Sequence, residues 1–187
     1  MKSLPPIVLT DKDIAGVLLQ LPADITDVRH VISLGTPGTP APPAFDVHPA
    51  RKIRLEFDDI EVASTLNGYV GPAPEDAEAL LQFYREIDIQ VPGTVLIHCA
   101  AGISRSSAAT LLLLAHLLGP GREEAAVQKL LVVHAQTAAA GLRDPEVLIR
   151  PNRRLVWLGD QALRRGGALL DACVRVIRTY GRTSWSP

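Results

Sequence analysis

The sequence predicts one α/β domain, spanning residues 1–187, with a mainly parallel central sheet flanked by helices on both faces. Three observations predict it. Short β-branched apolar runs, Val28 to Leu34 and Thr94 to Ile97, alternate with longer segments of helical periodicity. These runs are largely apolar, as parallel strands covered on both faces require, rather than strictly alternating apolar and polar. The chain shows no compositional break and no internal repeat.

Along the chain, Ile7-Val8-Leu9 reads as a short strand. Thr10-Asp11-Lys12-Asp13 reads as the start of a helix, with a threonine hydroxyl capping it and an acid three residues on. Val28 to Leu34 is a buried strand. Gly35 to Pro49, with five prolines and two glycines, is a loop. Lys52 to Phe57 is a strand that Asp58-Asp59 ends. Pro72 and Pro74 followed by Glu75-Asp76 open a helix whose apolar positions include Ala79, Leu80, Phe83, Tyr84 and Ile87. Pro92-Gly93 turns the chain into the strand Thr94 to Ile97, and a short glycine-containing loop leads to a helix over about 106–118. Gly119-Pro120-Gly121 stops that helix. Glu123-Glu124 start the next, with acids at its positive end. Two further helices cover about 152–164 and 168–180.

Composition narrows the function. Hydrophobic residues make up 47% and charged residues 21%, which excludes a disordered chain. Nineteen basic against 20 acidic residues provide no basic footprint for nucleic acid and no polybasic membrane patch. The most apolar run, Ala108 to Leu118, is too short to cross a bilayer. The residues after Met1 lack the apolar stretch of a signal peptide, so a cytoplasmic protein is expected. Cys99 and Cys173 are too few for a disulfide framework or a cysteine zinc site, and in a reducing compartment both stay free thiols. The remaining histidines, His30, His48, His116 and His134, have no metal-ligand spacing, so neither a metal nor a cofactor is expected.

The chemistry lies at 95–107. An apolar strand delivers Cys99 into a tight loop, Ala100-Ala101-Gly102-Ile103-Ser104-Arg105, that ends at a helix N-terminus. Successive backbone N–H groups there can curl around an anion, and the helix dipole adds positive potential. The same field favours a thiolate at Cys99. Arg105, six residues on, can close the loop and present a planar fork of donors to two phosphate oxygens. A nucleophile at the base of an oxyanion cradle is machinery for attacking a phosphate monoester. With this composition the pattern His-Cys-x-x-Gly-x-x-Arg arises by chance roughly three times in 10,000 sequences of this kind.

The stretch His98 to Ser106 resembles the signature of the cysteine-dependent protein tyrosine phosphatases, and Ala101-Gly102-x-Ser104-Arg105-Ser106 is most similar to their compact dual-specificity branch. Phe57-Asp58-Asp59 resembles that branch's acid loop, and Arg150-Pro151-Asn152 resembles the Pro-Asn turn before its last helices. The resemblance implies a protein-tyrosine-phosphatase-like fold and hydrolysis through a cysteinyl-phosphate. Cys99 would be the nucleophile, and Arg105 with the amides of 100–105 would bind the phosphoryl oxygens. Ser106 would hydrogen-bond the sulfur, and His98 would hold the loop from behind. An aspartate would protonate the leaving group; paired acids in such loops favour Asp59, with Asp58 as the alternative. The partner would be a phosphorylated substrate, first of all a phosphotyrosine protein.

Rival readings are a rhodanese-like sulfurtransferase, an arsenate reductase, a phosphatase of inositol phosphates or lipids, and a phosphate-binding module without turnover. The loop's length and residue order argue against the first, and position 99 against the second. The neutral Ala100, Ala101 and Ile103 argue against a polyanionic headgroup, and the intact Cys99 and Arg105 against a module that has lost catalysis. Cys173, on an amphipathic helix, reads as core packing, with a redox partner of Cys99 as the alternative.

Overall fold

A computed structural model describes residues 4–62 and 68–180, and four strands and seven helices lie among them. In chain order they are β1 (Ile7–Thr10), α1 (Lys12–Gln20), α2 (Ala23–Thr26), β2 (Val28–Gly35), β3 (Arg51–Glu56), α3 (Pro74–Arg85) and β4 (Thr94–His98). Four helices follow: α4 (Arg105–Leu118), α5 (Glu123–Ala139), α6 (Arg153–Ala162) and α7 (Ala168–Tyr180). The strands form one sheet in the order β1-β4-β2-β3, and every pairing is parallel. Parallel strands end at a common edge, so the segments after Thr10, Gly35, Glu56 and His98 converge there. In open α/β sheets this carboxyl edge is where ligands bind. β4 is central, between β1 and β2, and it ends one residue before Cys99.

Period-2 side-chain alternation divides the apolar strand residues between two cores. Ile7, Leu9, Ile32, Leu34, Val95 and Ile97 face the larger one, whereas Val31 and Leu96 face the smaller. The larger core lies under α4, whose residues from Arg105 to Ala115 are all buried: its first turn is polar and faces the site, and the Leu-rich remainder fills the core. Helices α3, α5 and α6 pack around it, and α7 packs on α5 and α6. The approach of α6 to α4 depends on Gly159, where a Cβ would collide with the Leu112 side chain. The smaller core is covered by Ala15 and Leu19 of α1 together with Phe45 and Ala50. The proline-rich 35–49 segment therefore forms part of a layer as well as connecting two strands.

Three local expectations are corrected. The cap of α1 is Asp11, whose carboxylate accepts from the Ile14 N–H at 2.9 Å, and not Thr10. Thr10 belongs to β1, and its buried hydroxyl is drawn into a bond to the Leu142 carbonyl at 2.6 Å. On α3 the buried positions are Ala77 and Leu81 with Leu80, Phe83 and Tyr84, while Ala79 is only half-buried. The strand read over 52–57 is β3, Arg51–Glu56, leaving Phe57 to begin the loop toward the site. Among the described residues no helix is long and apolar enough to cross a membrane, and no group of three or more His, Cys, Asp or Glu could hold a metal ion.

Candidate active site

The loop from Cys99 to Arg105 is shaped by what grips its carbonyls. The Lys12 N–H donates to Ala100 O at 3.3 Å, and Arg143 Nη1 to Gly102 O at 3.1 Å. The Arg150 N–H donates to Ile103 O at 3.0 Å, and the Asn152 N–H to Ser104 O at 3.2 Å. A trans peptide points its C=O and N–H in opposite directions. With these four carbonyls held outward, the N–H groups of Ala101, Ile103, Ser104 and Arg105 turn toward the inside of the loop. Gly102 makes the curl possible: its φ is +68°, and a Cβ there would lie 2.7 Å from the Thr10 carbonyl carbon. The loop thus packs directly on the β1–α1 junction.

Inside the curl is a cavity of about 410 Å³, within the range of small-ligand sites. Cys99 lies at its base, 2% exposed, with its Sγ 3.1 Å from Ser106 Oγ in the first turn of α4. Arg105, also in its wall, is 4% exposed and is steadied from two neighbouring strand ends. Its Nη1 donates to the Phe57 carbonyl at 2.7 Å and to Thr36 Oγ1 at 3.3 Å. Its Nε has no partner among the described residues, which leaves a buried cationic donor available beside the cavity. Ser104 is the residue before α4, yet its hydroxyl does not cap the helix. It donates instead to Asp59 Oδ1 at 2.6 Å.

The two neighbouring aspartates face different surroundings. Asp59 lines the cavity and accepts on Oδ1 from both Ser104 Oγ and Asn152 Nδ2, the latter at 2.8 Å. Asp58 is 8% exposed and spends its carboxylate on the Val70 N–H at 2.7 Å. The chain bends at Asp59, where the Ile60 N–H donates to the Asp58 carbonyl at 2.9 Å, and the two carboxylates go to different partners, Asp59 to the cavity and Asp58 to Val70.

His98, at the end of β4 and 1% exposed, lies directly behind the loop. Burial pushes its imidazole down to about 4, so it is neutral near pH 7. Cys173 is buried in α7, and its surroundings push the thiol up to about 12.

No protein-family model matches the sequence, and no curated protein matches it either. Solved structures do match. Human DUSP28 is 16% identical with a TM-score of 0.54, over 87% of this chain and 94% of that one. DUSP15 is 18% identical with a TM-score of 0.53, over 98% and 97%. The fold is that of the compact dual-specificity phosphatases. PTPMT1, solved in complex with PI(5)P, has the same fold at 14% identity and a TM-score of 0.53, over 91% and 94%.

On this dual-specificity phosphatase fold, the structure brings Cys99, the loop residues 100–105, Ser106 and Asp59 into one place, with His98 behind them and Asp58 turned away. It also adds two residues to which sequence reasoning assigned no role at the site. Asn152 is 1% exposed. Its Oδ1 caps α6 by accepting from the Leu155 N–H, while its Nδ2 reaches Asp59 and its backbone N–H holds Ser104. The Pro-Asn resemblance marked it as a turn residue, but nothing in the sequence connects it with a carboxylate 93 positions away. Arg143 is buried beneath the loop, and burial lowers its pKa while nearby Cys99 and Asp11 pull it back up. An arginine in a loop of ordinary composition carries no signal that could have singled it out.

Proposed function

We propose that the chain is a cysteine-dependent phosphatase that hydrolyses phosphate monoesters, with phosphotyrosine in proteins as the leading substrate class. The observation that carries this reading is the set of three reactive groups around one cavity: Cys99 at its base, Arg105 in its wall and Asp59 at its side.

In the first half-reaction the Cys99 thiolate attacks phosphorus. The bond from phosphorus to the ester oxygen breaks, and Asp59, in its protonated form, gives its proton to the departing oxygen. Both hydrogen bonds to Asp59 fall on Oδ1, so Oδ2 is the atom that carries the proton. Arg105 and the inward amides match the three equatorial oxygens, whose charge develops in the transition state. In the second half-reaction a water molecule attacks the cysteinyl-phosphate and gives a proton to the Asp59 carboxylate. The sulfur leaves as a thiolate, stabilised by the Ser106 hydroxyl 3.1 Å away. Each step as written uses side chains and water alone.

A thiol in this role must remain reduced, which supports a cytoplasmic setting. The single described unit would be the whole catalytic apparatus. A second reading, an inositol phosphate or phosphoinositide substrate, is favoured by PTPMT1, which shares the fold and was solved with PI(5)P. The side chains of Ala100, Ala101 and Ile103 add no cation for a polyanion and support the protein reading. The test is turnover of an aryl phosphate at mildly acidic pH by the wild-type protein and Cys99→Ser, then kcat/KM on a phosphotyrosine peptide against a short-chain phosphoinositide. Turnover that survives Cys99→Ser overturns the mechanism. A higher kcat/KM on the phosphoinositide overturns the substrate class.

A further inference from the structure

A second concavity begins where the first ends. Glu61 lines both the cavity over Cys99 and a shallower one of about 550 Å³ bounded by Val62, Arg153, Arg154, Trp157 and Leu170. Helix α6 turns Leu155, Val156 and Leu158 inward but leaves Trp157 45% exposed, and Val62 across from it is 53% exposed. A half-exposed indole beside an exposed valine offers a rigid apolar surface, of the kind that anchors partners at interfaces.

The framework around this surface is tied to the reacting groups. The Arg153 N–H lies 3.4 Å from Glu61 Oε1, and Arg154 Nε donates to the Pro72 carbonyl at 2.6 Å. Asn152, one residue before α6, holds Asp59 and Ser104. The spacing between the apolar surface and Cys99 is therefore set by hydrogen bonds at both ends of the segment between Asp59 and Pro72.

We propose that this surface is a substrate subsite: it takes an apolar side chain of the phosphoprotein, a few residues from the phosphorylated one. The proposal rests on the phosphatase reading and narrows its substrate class. The argument for this occupant is continuity. The two concavities share Glu61, so a polypeptide whose phosphoryl group lies over Cys99 has Val62 and Trp157 within reach on the far side of that residue. Charge does not decide between a peptide and an anionic lipid surface, because Arg153 and Arg154 on the same concavity offset Glu61; continuity with the cavity over Cys99 favours the peptide.

The experiment walks one leucine through each position flanking the phosphotyrosine of an otherwise serine-glycine peptide, with an aryl phosphate that cannot reach the surface as reference. At one position leucine should raise kcat/KM about tenfold over serine, the scale for part-burying one aliphatic side chain. Trp157→Gln and Val62→Ser should each erase most of that gain and keep aryl phosphate turnover within about twofold. Two exposed sites on different segments guard against a folding artefact in either variant. A flat leucine series with active aryl phosphate hydrolysis overturns the subsite and leaves the phosphatase reading standing. Absence of aryl phosphate turnover in the wild-type protein overturns both. A flat series together with Trp157-dependent binding to phosphatidylserine vesicles overturns the subsite and assigns the surface to a membrane.

Discussion

The protein's two cysteines are almost equally hidden, Cys99 at 2% and Cys173 at 0% exposure, and both border the larger core, yet the polar groups around them differ. Cys99 follows a strand, faces a cavity, and has a hydroxyl at 3.1 Å and the Arg105 guanidinium in the same wall. Cys173 lies within α7 among apolar side chains, and burial pushes its thiol up to about 12. Burial alone thus says little about reactivity. What separates the two is whether the polar groups nearby are organised to receive negative charge, and in Cys99's case a whole loop is held open for that purpose.

The most severe way to test this contrast is to delete each sulfur. Cys99→Ser should lower aryl phosphate turnover by about 10⁴-fold or more, the scale seen when a catalytic nucleophile is lost. Cys173→Ser should leave it within about twofold. Comparable losses in the two variants would mean that the loop environment does not select the nucleophile.

The same contrast can be drawn between the paired acids. Asp59→Asn should slow an alkyl phosphate by about 10²- to 10³-fold, within the range of general-acid catalysis, and spare an aryl ester with a very good leaving group. Asp58→Asn, which weakens the bond to the Val70 N–H, should leave the leaving-group dependence unchanged. If the leaving-group dependence follows Asp58 instead, the assignment is reversed.

His98 makes the stability of the fold sensitive to pH. Its folded-state value of about 4 lies below the ordinary 6.5, so the unfolded chain takes up the proton first as pH falls. Stability is complete above about 6.5 and declines through the window down to about 4, by about 3 kcal/mol from this residue. His30, His116 and His134 are lowered by burial too and add to the decline in the same sense. Urea unfolding at a series of pH values should therefore show a shallower slope for His98→Gln than for the wild-type protein; identical slopes would remove His98 as the cause.

Smaller effects sharpen the picture. Arg143→Met removes the donor to Gly102 O, and a loosened loop should lower kcat/KM by about tenfold while the fold persists, measured against circular dichroism as a control. At the apolar end of the comparison, Cys173→Ala should cost only about 1 kcal/mol in thermal unfolding, as a modest cavity in a packed helix. An activity loss there would show that α7 is coupled to the site.

Much of this architecture was legible in the sequence because the signals are local. The largely apolar, β-branched runs at 28–34 and 94–97 mark parallel strands, and the residues of 98–106 carry both the nucleophile and the anion cradle in one short stretch of chain. The Thr10 cap was misread because a hydroxyl before an acid looks alike in any context, and only the Leu142 carbonyl, 132 residues away, claims it. Asp58 and Asp59 are locally equivalent as well. Val70 and Asn152, 12 and 93 residues away, decide which of them faces the thiol.

By itself, the sequence determined the fold class, the strand that delivers Cys99 and the cradle at the start of α4, since periodicity and a nine-residue loop signature need no distant partner. The tertiary structure alone decided what holds that loop open, which aspartate looks into it, and that Trp157 and Val62 line one concavity beside it. The reason is that those hydrogen bonds and contacts exist only once parallel strands bring their carboxyl ends, and the loops that follow them, to one edge of the sheet.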